Sequence, residues 1–260
     1  MLIASWNVNS IAVRLPHVLN YLKESKVDHL GLQELKTTDD KFPYTEFSEA
    51  GYSCLIKGEK TYNGVALVSQ KETPCLLVAD VLPGAPEPLQ SRLIDVLLPQ
   101  SKLRILNLYV PNGSQVDSDK YEYKLKWFDA LLTYVGKAQE SGEHLLIMGD
   151  FNIAPEDKDV HDPAQWEGQV LVSERERQCF QRLLSLGFTD SFRHLHEEGG
   201  VFSWWDYRQM AFRRNMGLRI DHILLSQSLL PFLKQAWVDK SPRKLEKPSD
   251  HAPVLVELDL

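Results

Sequence analysis

The stretch Leu145–Asn152 reads LLIMGDFN. An apolar run passes through a glycine into an aspartate and, two residues later, an asparagine. Alternate residues of a strand share a face, so a strand here projects Asp150 and Asn152 together at its C-terminal end. A carboxylate beside a carboxamide is hard-oxygen chemistry, suited to Mg²⁺ or to orienting a water that loses its proton. Taken alone, the stretch reads equally well as a buried strand closing in an Asx turn. The rest of the chain has to decide.

Other predicted strands close the same way. Leu2–Asn9 alternates as a strand and carries Asn7 and Asn9 at its end, and Val27–Gln33 runs straight into Glu34. Leu103–Val110 pairs with Arg92–Leu98 and presents Tyr109, while Leu218–Ser226 is a strand through Asp221. The turn KPSDHAP, residues 247–253, sets Asp250 and His251 between Pro248 and Pro253, just before a strand over Val254–Leu258. Buried carboxylates without partners are costly, so repeated strand ends of this kind point to a cation that relieves them. Glu34 is the best single candidate for a direct ligand. A second carboxylate, Asp221, is suited to hold His251 as a base or as a charged phosphate contact.

Between these strands the spacing predicts helices. Pro16 opens one running from His17 to about Lys26, and Pro43 begins a short one that Gly51 closes. Tyr52–Lys57 and Val65–Ser69 form a hairpin around Asn63-Gly64. Asp117 to about Gln139 is amphipathic, with Trp127, Phe128, Leu131, Leu132 and Val135 on its buried face. Residues 153–172 form a long connection, of the kind that often carries function. Ser173–Leu186 is a helix with a capping box of Ser173 and Glu176. Ala236–Asp239 completes the strand set. With no linker or change of composition, residues 1–260 read as one domain of two packed sheets flanked by helices.

Composition sets outer bounds. Hydrophobic residues make up 43% and charged residues 25%, as in ordinary globular proteins. No apolar run approaches the roughly 20 residues that span a bilayer, and the N-terminus lacks a signal-peptide core, so a cytoplasmic protein with no membrane association is expected. Cys54, Cys75 and Cys179 are odd in number and widely spaced, which fits reduced buried thiols. No serine sits in a nucleophile elbow, and no glycine-rich loop matches a P-loop or dinucleotide site, so no nucleotide cofactor is expected. The net charge of −7 runs against phosphate binding unless a local basic face or bound metal offsets it. Residues 202–219 supply such a face: Trp204, Trp205, Tyr207, Arg208, Phe212, Arg213, Arg214 and Arg219 stand against a single acid, Asp206. Aromatics among arginines suit base stacking beside phosphate contacts. A partly buried aromatic loop with solvated arginines is the competing reading. Lys36, Lys60, Lys120 and Lys124 extend the basic track.

The blocks SWNVNS (5–10), GLQELK (31–36), YNGVALVS (62–69), LNLYVPNG (106–113), MGDFNIAP (148–155), FSWWDYR (202–208), GLRIDHILLS (217–226) and EKPSDHAPV (246–254) follow one another as in the bacterial exonuclease III / AP endonuclease family, which the whole chain resembles. The resemblance implies the four-layer α/β/β/α sandwich of DNase I-like proteins and Mg²⁺- or Mn²⁺-dependent hydrolysis of DNA phosphodiesters in base excision repair. It implies a metal site among Asn7, Glu34, Asp150, Asn152, Asp250 and His251, with Glu34 the direct ligand. Asp150 then handles the proton of the attacking water or leaving oxygen, Asn152 orients it, Tyr109 lies near the phosphate, and Asp221 orients His251. Asn112 falls where the family contacts phosphate, and Asn9 where some relatives carry Asp. Trp204, Tyr207, Arg208, Arg213, Arg214, Leu171 and Leu218 are the expected DNA and sugar contacts.

The implied substrates are double-stranded DNA with abasic sites or damaged 3′ ends, handled by a monomer. In this family a bulky residue in the loop after the GDFN strand shifts activity toward 3′ ends. Gln169-Val170-Leu171-Val172 is bulky there, so 3′→5′ exonuclease and 3′-phosphatase activities are expected ahead of abasic-site incision. Two alternatives are a lipid or inositol phosphate phosphodiesterase and a DNA-binding protein without catalysis. The first lacks an exposed apolar hairpin, and the second is at odds with intact Glu34, Asp150, Asn152, Asp250 and His251.

Overall fold

The computed structural model describes residues 1–260. Its strands are β1 (Leu2–Asn7), β2 (His29–Gln33), β3 (Tyr52–Lys57), β4 (Val65–Gln70), β5 (Leu76–Ala79), β6 (Leu93–Leu98), β7 (Leu103–Tyr109), β8 (His144–Asp150), β9 (Phe188–Asp190), β10 (Asp221–Ser226), β11 (Leu233–Val238) and β12 (Val254–Leu258). The helices are α1 (Ile11–Ser25), α2 (Tyr44–Glu49), α3 (Asp119–Gln139), α4 (Pro163–Trp166), α5 (Glu174–Ser185) and α6 (Ser191–Leu195). No helix is long and apolar enough to cross a membrane.

The strands form two six-stranded sheets, ordered β11-β12-β1-β2-β4-β3 and β5-β6-β7-β8-β10-β9. Strand alternation builds the layers. Leu146 and Met148 of β8 join Ile3, Val65 and Val256 of the first sheet in a shared core between the sheets. Leu145 and Ile147 face the other way, onto Trp127, Phe128 and Leu131 of α3 and Phe180 of α5. On the far side, Ala4, Leu30 and Val68 pack against Val18 and Leu22 of α1 and Phe47 of α2. The order is therefore helix, sheet, sheet, helix, as expected of the DNase I-like sandwich. Because both faces of β8 are covered, its sequence is continuously apolar rather than alternating.

Within that shared core runs a polar bridge. Gln33 Nε2 donates to Ser5 Oγ (3.0 Å) and Asn107 Oδ1 (2.6 Å), and Asn107 Nδ2 donates to the Leu32 and Ala66 carbonyls. Gly149 has a structural reason of its own. With φ at +145°, a Cβ there would lie 2.0 Å from the Leu108 carbonyl oxygen, so only glycine lets β8 run in register beside β7.

Two expectations need correction, and three short elements were not foreseen. Pro16 does not open α1; it lies inside a helix that starts at Ile11. The Val8, Ser10 and Ile11 amides donate to the Gln33, Glu34 and Leu35 carbonyls, so the chain leaving β1 is pinned to the end of β2 and turns helical at once. The short β5, β9 and α6 fall in segments where no periodicity could build up. Of the three free thiols, only Cys179 is fully buried.

Candidate active site

The ladders converge on one edge. Asn7 ends β1, Glu34 follows β2, Tyr109 ends β7 and Asp150 ends β8. Asp221 begins β10, directly across the antiparallel ladder from Asp150, and His251 precedes β12, the antiparallel neighbour of β1. Glu34 and Asn152 both adopt left-handed backbone, with φ of 52° and 50°, which turns the chain sharply at the sheet edge.

Asn7 stands between two carboxylates, its Nδ2 donating to Glu34 Oε1 (2.8 Å) and Asp150 Oδ2 (2.9 Å). Its Oδ1 accepts the Asn9 amide, so both side-chain atoms are engaged by protein, which makes Asn7 an orienting group. Asp150 Oδ1 accepts the Asn152 amide (2.9 Å), and Oδ2 accepts Asn152 Nδ2 (3.2 Å). Asn112 Nδ2 in turn donates to Asn152 Oδ1 (3.0 Å). The His251 imidazole lies with Nδ1 2.9 Å from Asp221 Oδ2 and Nε2 3.8 Å from Asp150 Oδ2. Asp250 stands apart from the centre's inner edge, with Oδ1 accepting from Asn9 Nδ2 (2.9 Å) and Oδ2 from Trp204 Nε1 (3.0 Å).

The electrostatics follow from this packing. Burial pushes the Asp150 carboxyl up to about 7, with Asp221 and Glu34 adding and His251 opposing. Burial alone would strip His251 of its proton, but Asp221 and Asp150 overcome it and raise the imidazole to about 10. Burial also holds the Tyr109 hydroxyl well above the usual phenol range, with the Glu34 carboxylate adding, so it stays a neutral donor. For Asp250, burial is outweighed by His251 and by the Asn9 and Trp204 hydrogen bonds, which keep it low.

Glu34, Asp150 and His251 each present a ligand atom, all within 4.8 Å of one another. The two carboxylates are the hard-oxygen donors of this set, and the charged His251 imidazole beside them is suited to an anion. A hard divalent cation fits such a set.

Around this centre the predicted DNA contacts separate into two groups. Tyr207, Arg208, Arg213 and Arg214 are exposed, and Trp204 is half-buried with its indole tied to Asp250. Asn112 is exposed beside a groove of about 720 Å³ that Glu34, Tyr62, Arg92, Tyr109 and Lys120 also line. Trp205 is fully buried and Arg219 pairs with Asp159 and Asp190 below the surface, so neither meets DNA. Lys124 is likewise buried, and Lys36 pairs with Glu34 Oε2 at 2.9 Å. Leu171 and Leu218 are buried with Ala154, Val160 and Ile220, which makes them the floor under Trp204 rather than an open contact. Gln169 is the residue of its stretch that lines a smaller concavity of about 300 Å³, together with Trp166 and Trp204.

The sequence reading did not reach several supporting groups. Arg14 donates to the Asn9 and Pro248 carbonyls and to Tyr207 Oη. The Arg92 guanidinium sits 4.5 Å from the Tyr109 ring centre. Ser249 Oγ donates to the Asn7 carbonyl, and Ser203 Oγ accepts the Ile220 and Asp221 amides. These are common polar residues with no motif spacing of their own, and only the assembled turns reveal what they hold.

A two-sheet sandwich with a carboxylate and histidine centre at one edge defines a class of metal-assisted phosphoester hydrolases. The chain belongs to the endonuclease/exonuclease/phosphatase family, whose profile matches residues 4–251, and within it to the exonuclease III and AP endonuclease branch. Haemophilus influenzae exodeoxyribonuclease III is 37% identical over 97% of this chain and 98% of its own. The solved NExo of Neisseria meningitidis, a 3′–5′ exonuclease, is 46% identical over the whole of both chains with a TM-score of 0.96. Neisseria NExo has also been solved as a 3′ phosphatase bound to a product DNA hairpin. An AP endonuclease from Archaeoglobus fulgidus is 37% identical over both whole chains, with a TM-score of 0.92. The protein is a DNA repair nuclease.

Proposed function

We propose that this nuclease hydrolyses phosphoesters at the 3′ ends of double-stranded DNA, as a 3′→5′ exonuclease and 3′-phosphatase, and incises beside abasic sites more slowly. The observation that carries the reading is the convergence of Glu34, Asp150 and His251 within 4.8 Å at the sheet edge. The ordering of substrates is supported by the bulky, apolar Leu171 and Leu218 that close the floor under Trp204, and by the activities named for the Neisseria relative. A cytoplasmic monomer acting on duplex DNA is part of the proposal.

Glu34 would hold one Mg²⁺ or Mn²⁺, with Asp150 beside it kept for the proton. When bound, that ion supplies Lewis acidity toward a phosphate oxygen and toward water. Asp150, fixed through both oxygens by Asn152 and Asn7, accepts the proton of the attacking water. The water oxygen bonds to phosphorus, the bond to the leaving 3′ oxygen breaks in line, and that oxygen takes a proton from solvent water; no covalent enzyme intermediate forms. His251, kept charged by Asp221, contacts a non-bridging oxygen as a cation, a role that differs from the metal ligand expected from resemblance, since a ligand imidazole must be neutral. Tyr109 stays a neutral phenol and donates a hydrogen bond to the phosphate.

The test is a substrate panel of 3′-phosphate, recessed, blunt and internal abasic duplexes, with Mg²⁺ or with EDTA. Fast 3′-phosphate release and slower abasic incision, both lost in EDTA, are expected. Fast abasic incision with an inert 3′-phosphate overturns the ordering.

A further inference from the structure

One buried ion pair lies outside the centre just described, and its hydrogen bonds all lead back to it. Lys124 of α3 and Glu176 of α5 are both fully buried. The Lys124 ammonium has three protons and three acceptors: Glu176 Oε1, the Asn152 carbonyl at 2.7 Å and the Asn112 carbonyl at 3.2 Å. The two carbonyls belong to the two asparagines whose carboxamides run in series onto Asp150. Glu176 Oε1 also accepts the Leu171 amide (3.0 Å), and Oε2 accepts the Ser173 amide (3.2 Å) and hydroxyl (2.5 Å).

The residues this pair grips are strained ones. Asn152 and Leu171 both hold left-handed backbone, with φ of 50° and 76°. Such conformations persist where the surroundings over-determine them. Capping α5 requires only Ser173 and the Glu176 carboxylate, as an exposed helix end would have it. Burying an ammonium there as well adds little to stability, because desolvating two charges offsets their attraction. What the ammonium does add is a fixed direction for the Asn112 and Asn152 backbones.

We infer that Lys124 and Glu176 form a positioning unit that sets Asn152, and through it both oxygens of Asp150, while anchoring the Leu171 loop to the same charge. This rests on the catalytic role proposed above for Asp150. The pair touches no substrate and holds Asn112 only by its backbone carbonyl, with the Asn112 carboxamide resting on Asn152, so its loss falls on turnover more than on binding.

The test is the double variant Lys124→Met/Glu176→Gln, which removes both charges at nearly constant volume. Alongside it, Glu176→Gln makes a milder change, and Asp150→Ala serves as reference. With a 3′-phosphate duplex, kcat of the double variant is expected to fall about 10- to 100-fold, as a displacement of order 1 Å costs. Glu176→Gln is expected to lower it about 3- to 10-fold on the same grounds. KM and DNA affinity measured in EDTA stay unchanged, and both variants keep cooperative melting. A folded double variant, or a folded Glu176→Gln where the double does not fold, that turns over within about twofold of the parent overturns the inference, since a purely structural pair would lower Tm alone. If Asp150→Ala itself turns over normally, the reading of the centre falls first; if Asp150→Ala is inactive and the pair variants are normal, only the positioning role is lost.

Discussion

Two clusters of buried ionisable groups meet along residues 219–222, and their charge balance differs. In the first, Arg219 bridges Asp159 (2.7 Å) and Asp190 (2.7 Å), with Arg193 on Asp159 and His222 beside Asp190. Burial pushes both aspartates up, but Arg219 more than reverses this and holds them below the usual carboxylate range. In the second, the four carboxylates of Glu34, Asp150, Asp221 and Asp250 face the single His251 imidazole and the Lys36 ammonium on Glu34, and buried Asp150 is left raised. The balanced cluster ties the 153–172 connection and α6 to β10. The unbalanced one is where the proposed cation and phosphate would be held. Buried charge is thus scaffold where it is matched and chemistry where it is not.

The sharpest break of this contrast is at Asp150. Asp150→Asn is expected to cut DNA cleavage by about 10²–10⁴-fold, the usual span for a lost general base. The same change removes unrelieved negative charge, so the metal-free Tm should not fall; a Tm drop of many degrees would show that Asp150 belongs to the scaffold. Arg219→Met should do the opposite. It leaves Asp159 and Asp190 buried without their shared cation, and urea unfolding should show a loss of about 3–5 kcal/mol. A third measurement titrates Mg²⁺ against Tm. At a hundredfold excess over Kd the parent gains about 2.7 kcal/mol, and Glu34→Gln should lose most of that gain.

Acidity separates the clusters as well. A raised carboxyl binds its proton more tightly in the folded state, so Asp150 makes the metal-free protein lose stability as pH rises from about 4, the unfolded value, toward 7. Asp159 and Asp190 have the opposite sign: their contribution is full above the unfolded pKa and fades as pH falls below it. His251, raised to about 10, has the same sign as Asp150 and adds a loss above about 6.5, so stability from pH 3 to 8 should rise and then decline without Mg²⁺, and the part of the decline below about 6.5 should flatten in Asp150→Asn. The smallest effect is expected outside both clusters. Arg213→Ala and Arg214→Ala should weaken DNA binding about equally for all sequences, each lowering the salt slope by about 1.

Why the sequence yielded one cluster and not the other is instructive. Asp150, Asn152, Glu34 and His251 sit at the ends of apolar strands or between prolines, where a polar residue stands out against its neighbours. Ser173 and Glu176 were legible as a capping box for the same local reason, and the box forms. Asp159, Arg219 and Asp190 lie far apart in sequence, and Arg219 among aromatics and arginines reads as a DNA contact until its partners arrive from two other segments. Lys124 was misread likewise, as an extension of the basic track. Pro16 misled because the start of α1 depends on backbone bonds to the end of β2, which no local propensity encodes.

The polar bridge of Gln33, Ser5 and Asn107 bears on how the protein fails. It stitches the sheets together one layer beneath a centre whose Asn7, Glu34 and His251 come from one sheet and Tyr109, Asp150 and Asp221 from the other. Neither half-chain owns a half-site that could work alone. Heat should therefore erase activity and tertiary structure in one shared transition, with no inactive but folded intermediate, and cutting the gene between β4 and β5 should yield fragments that regain cleavage only on recombining.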